Sequence, residues 1–139
     1  MSVFDAQAIV ALLRGEPTAD HVATLMVRAG ERAAIASPNI AEVIDVLVRI
    51  NTRSTDEVLE KLDWLAAGGL ETLPVDDGTA RLAGVIHARR YHRTHRAVSM
   101  ADCFALATAL VQGDELVTGD KALARVAGEE GCGVIVPAP

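Results

Sequence analysis

Short apolar runs alternate with longer amphipathic segments along the whole chain of 139 residues. Apolar runs this short, bounded by turn residues, are typical of buried β-strands. They predict strands over residues 2–4, 33–36, 70–75, 115–118 and 133–136. The amphipathic segments predict a helix capped by Ser37, with Pro38 as its first helical residue, and further helices over residues 6–13, 18–28, 55–67, 76–92, 100–111 and 120–128.

Alternation of strands and helices in one chain indicates parallel strands joined by right-handed crossover connections. We therefore expect an α/β fold, a three-layer α/β/α sandwich around a parallel sheet of about four to five short strands. A single domain over residues 1–139 accounts for the length and leaves no room for a separate cofactor-binding module.

Three acidic residues recur at the same place in this pattern. Asp5 ends the first strand, Asp120 follows the fourth, and Asp102 lies in the first turn of the helix that begins after Ser99. The carboxyl ends of parallel strands and the helix starts beside them form one rim of the sheet, where ligands bind. Each acid also has a local interpretation, because Asp5 and Asp120 can be helix N-caps and Ser99-x-x-Asp102 resembles a capping box.

Glu42 is a fourth candidate, in the helix that begins at Ser37. It lies about 200° around the helix from Ile40, away from the apolar stripe that runs to Val48. Periodicity alone predicts that Glu42 faces solvent. The alternative is that the polar face of this helix looks into a cleft.

Composition and missing motifs exclude several classes of protein. There is no phosphate-binding loop, no nucleophile elbow and no His-Glu-x-x-His zinc motif. Aromatic residues are only 3% of the chain, too few for a stacking platform for single-stranded nucleic acid. Cys103 and Cys132 have neither metal-site nor disulfide spacing, and we expect two reduced thiols in a cytoplasmic protein with no membrane segment and no signal peptide.

Charge is distributed unevenly along the chain. No acidic residue lies between Asp77 and Asp102, a window that carries five arginines, so a net charge of −6 for the chain leaves −11 elsewhere. We predict that four of these arginines hold the phosphate backbone of a nucleic acid next to an acidic site, and Arg93 and Arg96 are favoured over Arg89 and Arg90. The alternative is that they pair with the surplus Asp and Glu.

Four segments in this order carry a resemblance over essentially the whole chain: Val3-Phe4-Asp5-Ala6, Asn39-Ile40-Ala41-Glu42-Val43, Ser99-Met100-Ala101-Asp102-Cys103 and Leu116-Val117-Thr118-Gly119-Asp120. Together they resemble the PIN-domain family, and within it the VapC-type toxins of bacterial toxin–antitoxin pairs. The resemblance implies an endoribonuclease that depends on Mg²⁺ or Mn²⁺ and cleaves RNA with metal-activated water. It assigns the metal site to Asp5, Glu42, Asp102 and Asp120, gives Thr118 a supporting role, and implies an antitoxin partner and a homodimer.

Electrostatics agrees with a metal once these acids share a site. At an effective dielectric constant of 20, two carboxylates ~6 Å apart repel by about 3 kcal/mol, and oxygen-only ligands suit Mg²⁺ or Mn²⁺. Two alternatives remain. A PIN-like domain could serve RNA processing or RNA binding without toxin activity. A receiver-type phosphate-handling domain is more distant, since Lys121, the only late lysine, lies in a helix start.

Overall fold

Strands and helices alternate in the computed structural model, which describes residues 1–29 and 32–139. The strands are β1 (Ser2–Phe4), β2 (Ala33–Ala36), β3 (Glu71–Leu73), β4 (Glu115–Val117) and β5 (Val134–Ile135). The helices are α1 (Ala6–Arg14), α2 (Ala19–Ala29), α3 (Ser37–Asp45), α4 (Thr55–Ala67), α5 (Asp77–Arg90), α6 (Met100–Gln112) and α7 (Lys121–Glu129), and α3 continues into a π-helical turn over Val46–Ile50.

The five strands form one parallel sheet in the order β3-β2-β1-β4-β5. The central strand β1 pairs Ser2 with Ala33 of β2, and Phe4 with Val117 of β4. The chain extends the sheet from β1 first to one side and then to the other, so the strand order reverses between β1 and β4. Ligands of open α/β sheets bind beyond the carboxyl ends of the strands at such a reversal.

Helices cover both faces of this sheet, and each face has its own core. Successive residues of a strand point to opposite faces. Phe4 and Val117 therefore pack with residues from α1 to α4, such as Ile9, Val22, Val43 and Val58. Val3 and Leu116 pack with residues from α5 to α7, such as Ile86, Leu106 and Leu123. The predicted α/β/α sandwich around a parallel sheet is confirmed.

A few local predictions are wrong. Ser37 does not cap α3; it is the first helical residue, and Ala36 occupies the cap position without a side-chain hydrogen bond. α5 ends at Arg90 rather than at residue 92, because residues 92 and 96 pair as an antiparallel bridge that turns the chain. None of the described helices is long and apolar enough to cross a membrane. Cys103 and Cys132 are buried free thiols, as predicted.

Candidate active site

Asp5 lies at the centre of the rim and is held from two sides. It caps α1, accepting a hydrogen bond at Oδ1 from the backbone N–H of Ala8 at 2.8 Å. The hydroxyl of Thr118, just beyond β4, donates to Oδ2 of the same carboxylate. Asp5 is only 2% exposed and Thr118 is fully buried. Both carboxylate oxygens are therefore fixed in the interior, at the point where the strand order reverses.

The hydroxyl of Thr118 also joins Asp5 to Asp120. It accepts a hydrogen bond from the backbone N–H of Asp120 at 3.0 Å while it donates to Asp5. Asp120 caps α7 through a hydrogen bond from the N–H of Leu123 to Oδ1, at 2.9 Å. One buried hydroxyl thus sets the position of two acids that lie far apart in the sequence.

Asp102 reaches the rim in the first turn of α6, where it completes a capping box with Ser99. The Ser99 Oγ accepts from the N–H of Asp102 at 3.0 Å, and Asp102 Oδ2 accepts from the N–H of Ser99 at 2.9 Å. The cap interpretations of Asp5, Asp102 and Asp120 are all confirmed. They do not compete with a shared site, since capping uses some of the carboxylate lone pairs and also places each acid at the rim.

Glu42 is half-buried, so the prediction from periodicity that it faces solvent is wrong. Burial raises its pKa, and the charges of Asp102 and Asp45 raise it further. The influence of Asp102 places Glu42 on the side of α3 that looks towards α6. The cleft interpretation of this polar face is the one that the structure supports.

The acids at the rim destabilise one another's charged forms. Burial is the main cause that raises the pKa of Asp5 from 3.8 to about 7; hydrogen bonds from Thr118 and Ala8 oppose this rise, and the charges of Asp102 and Asp120 add to it. Burial also raises the pKa of Asp102, with a further contribution from Asp120. We call the set Asp5, Glu42, Asp102 and Asp120 the carboxylate rim.

Asn39 lies in the same part of the molecule as the carboxylate rim, although nothing in its segment of the sequence distinguishes it. It lies in the first turn of α3, is 1% exposed, and donates from Nδ2 to the carbonyl of Ala101 at 3.0 Å. Its Oδ1 is buried and accepts no hydrogen bond from the described residues. A buried amide with an unused acceptor, bonded to the residue before Asp102, is a polar group that the sequence pattern did not reveal.

The carboxylate rim fits a divalent cation in ligand chemistry and in charge. All its donors are oxygens, the ligands that Mg²⁺ and Mn²⁺ prefer, and none of the four acids forms an ion pair with an Arg or Lys that the structure describes. Among residues 1–29 and 32–139, however, no three His, Cys, Asp or Glu side chains stand close enough to form a ready metal-binding group. The rim is therefore a set of candidate ligands and not a closed coordination site.

Two glutamates at the end of α7 engage three of the four arginines that were candidates for RNA binding. Arg89 pairs with Glu130 at 2.5 Å, and Arg90 contacts Glu130 at 2.7 Å and Glu129 at 2.9 Å. Arg96 lies 3.7 Å from Glu129 and also donates from Nε to the carbonyl of Arg90 at 2.7 Å. These three arginines therefore pair with acidic residues from elsewhere in the chain, as the alternative interpretation predicts.

Arg93 differs from the other three. It forms no ion pair with any residue that the structure describes, and it is exposed in the turn between His92 and Arg96. The stacked rings of His92 and His95, with centroids 4.7 Å apart, flank it. Contact of these arginines with RNA stays a prediction, and Arg93 is the member with the charge free to make one.

Comparison with known proteins agrees with this geometry. The family model described as PIN domain matches residues 2–129, whereas no curated protein matches the sequence. The structure resembles a toxin–antitoxin complex from Klebsiella pneumoniae (19% identity, TM-score 0.68, covering 99% of this chain and 98% of that one). It also resembles DNA-bound VapBC from Salmonella typhimurium (19%, 0.73, 97% and 96%). A third neighbour is VapC20 from Mycobacterium tuberculosis, described as a sarcin–ricin loop cleaving toxin (13%, 0.72, 90% and 94%).

At these identities the structural neighbours show a shared fold and no more. The family match is of another kind, because it spans nearly the whole chain and includes all four segments that carried the resemblance. The chain belongs to the PIN domain family.

Proposed function

We propose that this chain is the toxin of a toxin–antitoxin pair, a cytoplasmic endoribonuclease that depends on Mg²⁺ or Mn²⁺. The observation that carries the proposal is the carboxylate rim itself. Asp5, Asp102 and Asp120 lie at strand ends and helix starts around the reversal of strand order, with Glu42 on the neighbouring helix α3, and Asp5 among them is buried with a pKa of about 7. A chain that holds this charge without internal counter-ions is arranged to receive a cation.

Each residue of the site has a part that follows from its contacts. The four acids of the carboxylate rim would hold the ion, which when bound supplies Lewis-acid polarisation and activation of water for phosphodiester hydrolysis. Thr118 keeps Asp5 and Asp120 in register through the hydrogen bonds of its hydroxyl. The capping box holds Asp102 at the start of a long, well-buried helix. Backbone contacts therefore hold three of the four acids, Asp5, Asp102 and Asp120, in place.

RNA has to approach a surface that is negative before the cation binds. Arg93 is exposed on the turn before α6 and can offer its positive charge to a phosphate group. The other three candidate arginines already pair with Glu129 and Glu130. We propose Arg93 as the main phosphate contact, and Arg89, Arg90 and Arg96 as residues that fix the turn that presents it.

The proposed partners are an antitoxin and a second copy of this chain. The neighbours from Klebsiella pneumoniae and Salmonella typhimurium are described as a toxin–antitoxin complex and as VapBC. An antitoxin that places an Arg or Lys between Asp5 and Asp102 would neutralise the rim with a charge-assisted hydrogen bond and exclude metal and RNA. Val27 and Trp64, 80% and 72% exposed on α2 and α4, provide apolar surface for a homodimer through the first half of the chain.

The test is metal-dependent cleavage by two matched variants. Purified chain, freed of antitoxin and given total RNA, should produce discrete fragments with Mn²⁺ and none with EDTA. Asp5→Asn should abolish cleavage, because it removes one charge from the rim. Asp76→Asn is the control, since Asp76 caps α5 through the same kind of bond, from Thr79 N–H at 2.8 Å, but is not part of the rim.

Two outcomes would count against the proposal. Cleavage by Asp5→Asn at the rate of the parent would place the reaction elsewhere. Binding of RNA without any cleavage, in every metal tried, would favour the alternative of an RNA-binding PIN domain without toxin activity.

A further inference from the structure

Asn39 joins two helices at the turns that carry two acids of the rim. Its Nδ2 donates to the carbonyl of Ala101, 62 residues further along the chain, at 3.0 Å. Ala101 immediately precedes Asp102 in α6. Glu42 lies three residues after Asn39 in α3, on the same side of that helix. The hydrogen bond therefore connects the turn before Glu42 to the residue beside Asp102.

This connection opposes a repulsion. Glu42 and Asp102 are acids on two helices in contact, and each is partly buried, so they repel one another when both are ionised. A neutral amide can bridge the helices at this point without adding charge, whereas an acid in its place would add to the repulsion. The Asn39 side chain, 1% exposed, has little freedom to make any other contact.

Stability alone does not account for an amide at this position. The Oδ1 of Asn39 has no partner among the described residues, and leaving a buried acceptor unpaired costs more than one neutral hydrogen bond returns. The carbonyl of Ala101 lies within α6, where it can also accept a helical hydrogen bond. An apolar side chain of similar size would suit the packing at least as well.

We propose that Asn39 is a positioning residue for cation binding, which sets the separation of Glu42 and Asp102 by holding α3 against the first turn of α6. The inference rests on the proposed function, since it assigns the purpose of this separation to the metal. In this proposal Asn39 does not bind the cation itself, and it affects binding only by positioning Glu42 and Asp102.

The test separates cation binding from stability. Asn39→Leu keeps the size of the side chain and removes both its donor and its unpaired acceptor. We expect Mn²⁺ affinity, measured by calorimetric titration without RNA, to fall about tenfold, as for losses of other groups that orient metal ligands. The melting temperature in EDTA should stay the same or rise. In a Glu42→Gln background the same substitution should change Mn²⁺ affinity much less, because the position of Glu42 no longer matters.

Thr108→Val is the matched control. Thr108 is 4% exposed on the same helix α6, and its hydroxyl donates to the carbonyl of Phe104 at 2.8 Å, within one helix. Loss of this hydroxyl in Thr108→Val should leave Mn²⁺ affinity within about twofold of that of the parent protein. Parent-like affinity in Asn39→Leu, or an equal loss in Thr108→Val, would overturn the inference.

A second measurement needs no metal and keeps this inference apart from the proposed function. The chain has two asparagines, Asn39 and Asn51, so the side-chain NH₂ signals of Asn39 can be assigned by their absence in Asn39→Leu. In the metal-free parent these protons should exchange slowly with solvent if the bond to Ala101 exists, and rapid exchange would refute it. A parent that binds no Mn²⁺ and cleaves no RNA would instead refute the proposed function, whatever the exchange rate.

Discussion

The carboxylate rim and the end of α7 are both crowded with acidic side chains, but the chain treats them differently. Glu130 has only 8% of its side chain exposed. Burial by itself would raise its pKa, yet hydrogen bonds from Arg90 and Arg89 lower it. Burial also raises the pKa of Asp5, and there the neighbouring charges are two more carboxylates. Among the residues that the structure describes, the acids at the end of α7 have arginine counter-ions, and the acids of the carboxylate rim have none.

This difference shows what identifies a candidate site in an acidic protein. Both regions contain several acidic residues, so counting acids along the sequence cannot separate them. What separates them is whether arginine side chains satisfy the carboxylates. The proposed function assigns the rim a cation from outside the chain, and the following experiments test that distinction.

The largest effect on stability is expected from removing charge at the rim in the absence of metal. The rise in the pKa of Asp5 from 3.8 to about 7 corresponds to at most about 4 kcal/mol, at about 1.4 kcal/mol per pH unit. Because the folded state favours protonated Asp5, its contribution to stability is complete below pH 3.8 and is lost as the pH rises to about 7. Urea unfolding in EDTA should therefore show Asp5→Asn to be more stable than the parent at pH 8, with the gain shrinking towards pH 4.

Asp76→Asn is the control for this measurement also. Hydrogen bonds from Thr79 lower the pKa of Asp76, so its contribution has the opposite sign, present above pH 3.8 and lost on acidification. Asp76→Asn should therefore not stabilise the protein at pH 8. Equal stabilisation by both substitutions would mean that cap chemistry, and not repulsion within the rim, explains the effect.

The next effect is stabilisation by the cation. At a Mn²⁺ concentration 100 times its dissociation constant, binding to the folded state alone should add about 2.7 kcal/mol. Asp102→Asn should reduce this gain, whereas Glu129→Gln, which changes the other acidic region, should leave it intact. Thermal denaturation with and without Mn²⁺ measures both. If Glu129→Gln removes the gain as well, the cation does not distinguish the two regions.

A smaller change of opposite sign is expected at the end of α7. Glu130→Gln keeps the shape of the side chain but removes the charge that Arg89 and Arg90 share. The melting temperature should fall by a few degrees, in contrast to the rise expected for Asp5→Asn. Glu115→Gln, at an exposed position, should change it little. A rise on Glu130→Gln would show that this region is also strained by its charge.

The smallest effect concerns binding of RNA. In the inactive Asp5→Asn background, Arg93→Gln should flatten the slope of log affinity against log salt by ~0.7, the value for one lost phosphate contact on a single strand. Arg81→Gln serves as control, because Arg81 pairs with Asp77 at 2.8 Å in the first turns of α5. An unchanged slope for Arg93→Gln would leave the turn without a role in RNA binding.

The sequence predicted those features that depend on local pattern. Strand and helix order, and the placement of Asp5, Asp102 and Asp120 at strand ends and helix starts, follow from apolar runs and capping residues. Glu42 could not be placed in this way. Helical periodicity reports which side of α3 faces its own core, and it carries no information about a helix arriving more than fifty residues later in the chain.

The ion pairs of the arginine window could not be predicted from the sequence for a related reason. Residues 78–101 look positive because no acid lies within them, but Glu129 and Glu130 return to this surface about forty residues later. Net charge in a window of sequence is therefore a poor guide to net charge in space. Asn39 could not be found at all from its segment, since an asparagine in the first turn of a helix is unremarkable until its partner in α6 is known.

The hydrogen bond between Asp5 and Thr118 spans 113 residues of the chain, which has a consequence for synthesis. Asp5 is made well before Thr118 and Asp120, because more than a hundred residues lie between them. Strand β1 can pair with β4 only after that intervening stretch has been made, and such distant pairings form late in folding. Under the proposed function, a chain with this order of strands cannot assemble the site around Asp5 before β4 is made, so cleavage of RNA waits for the pairing of β1 with β4.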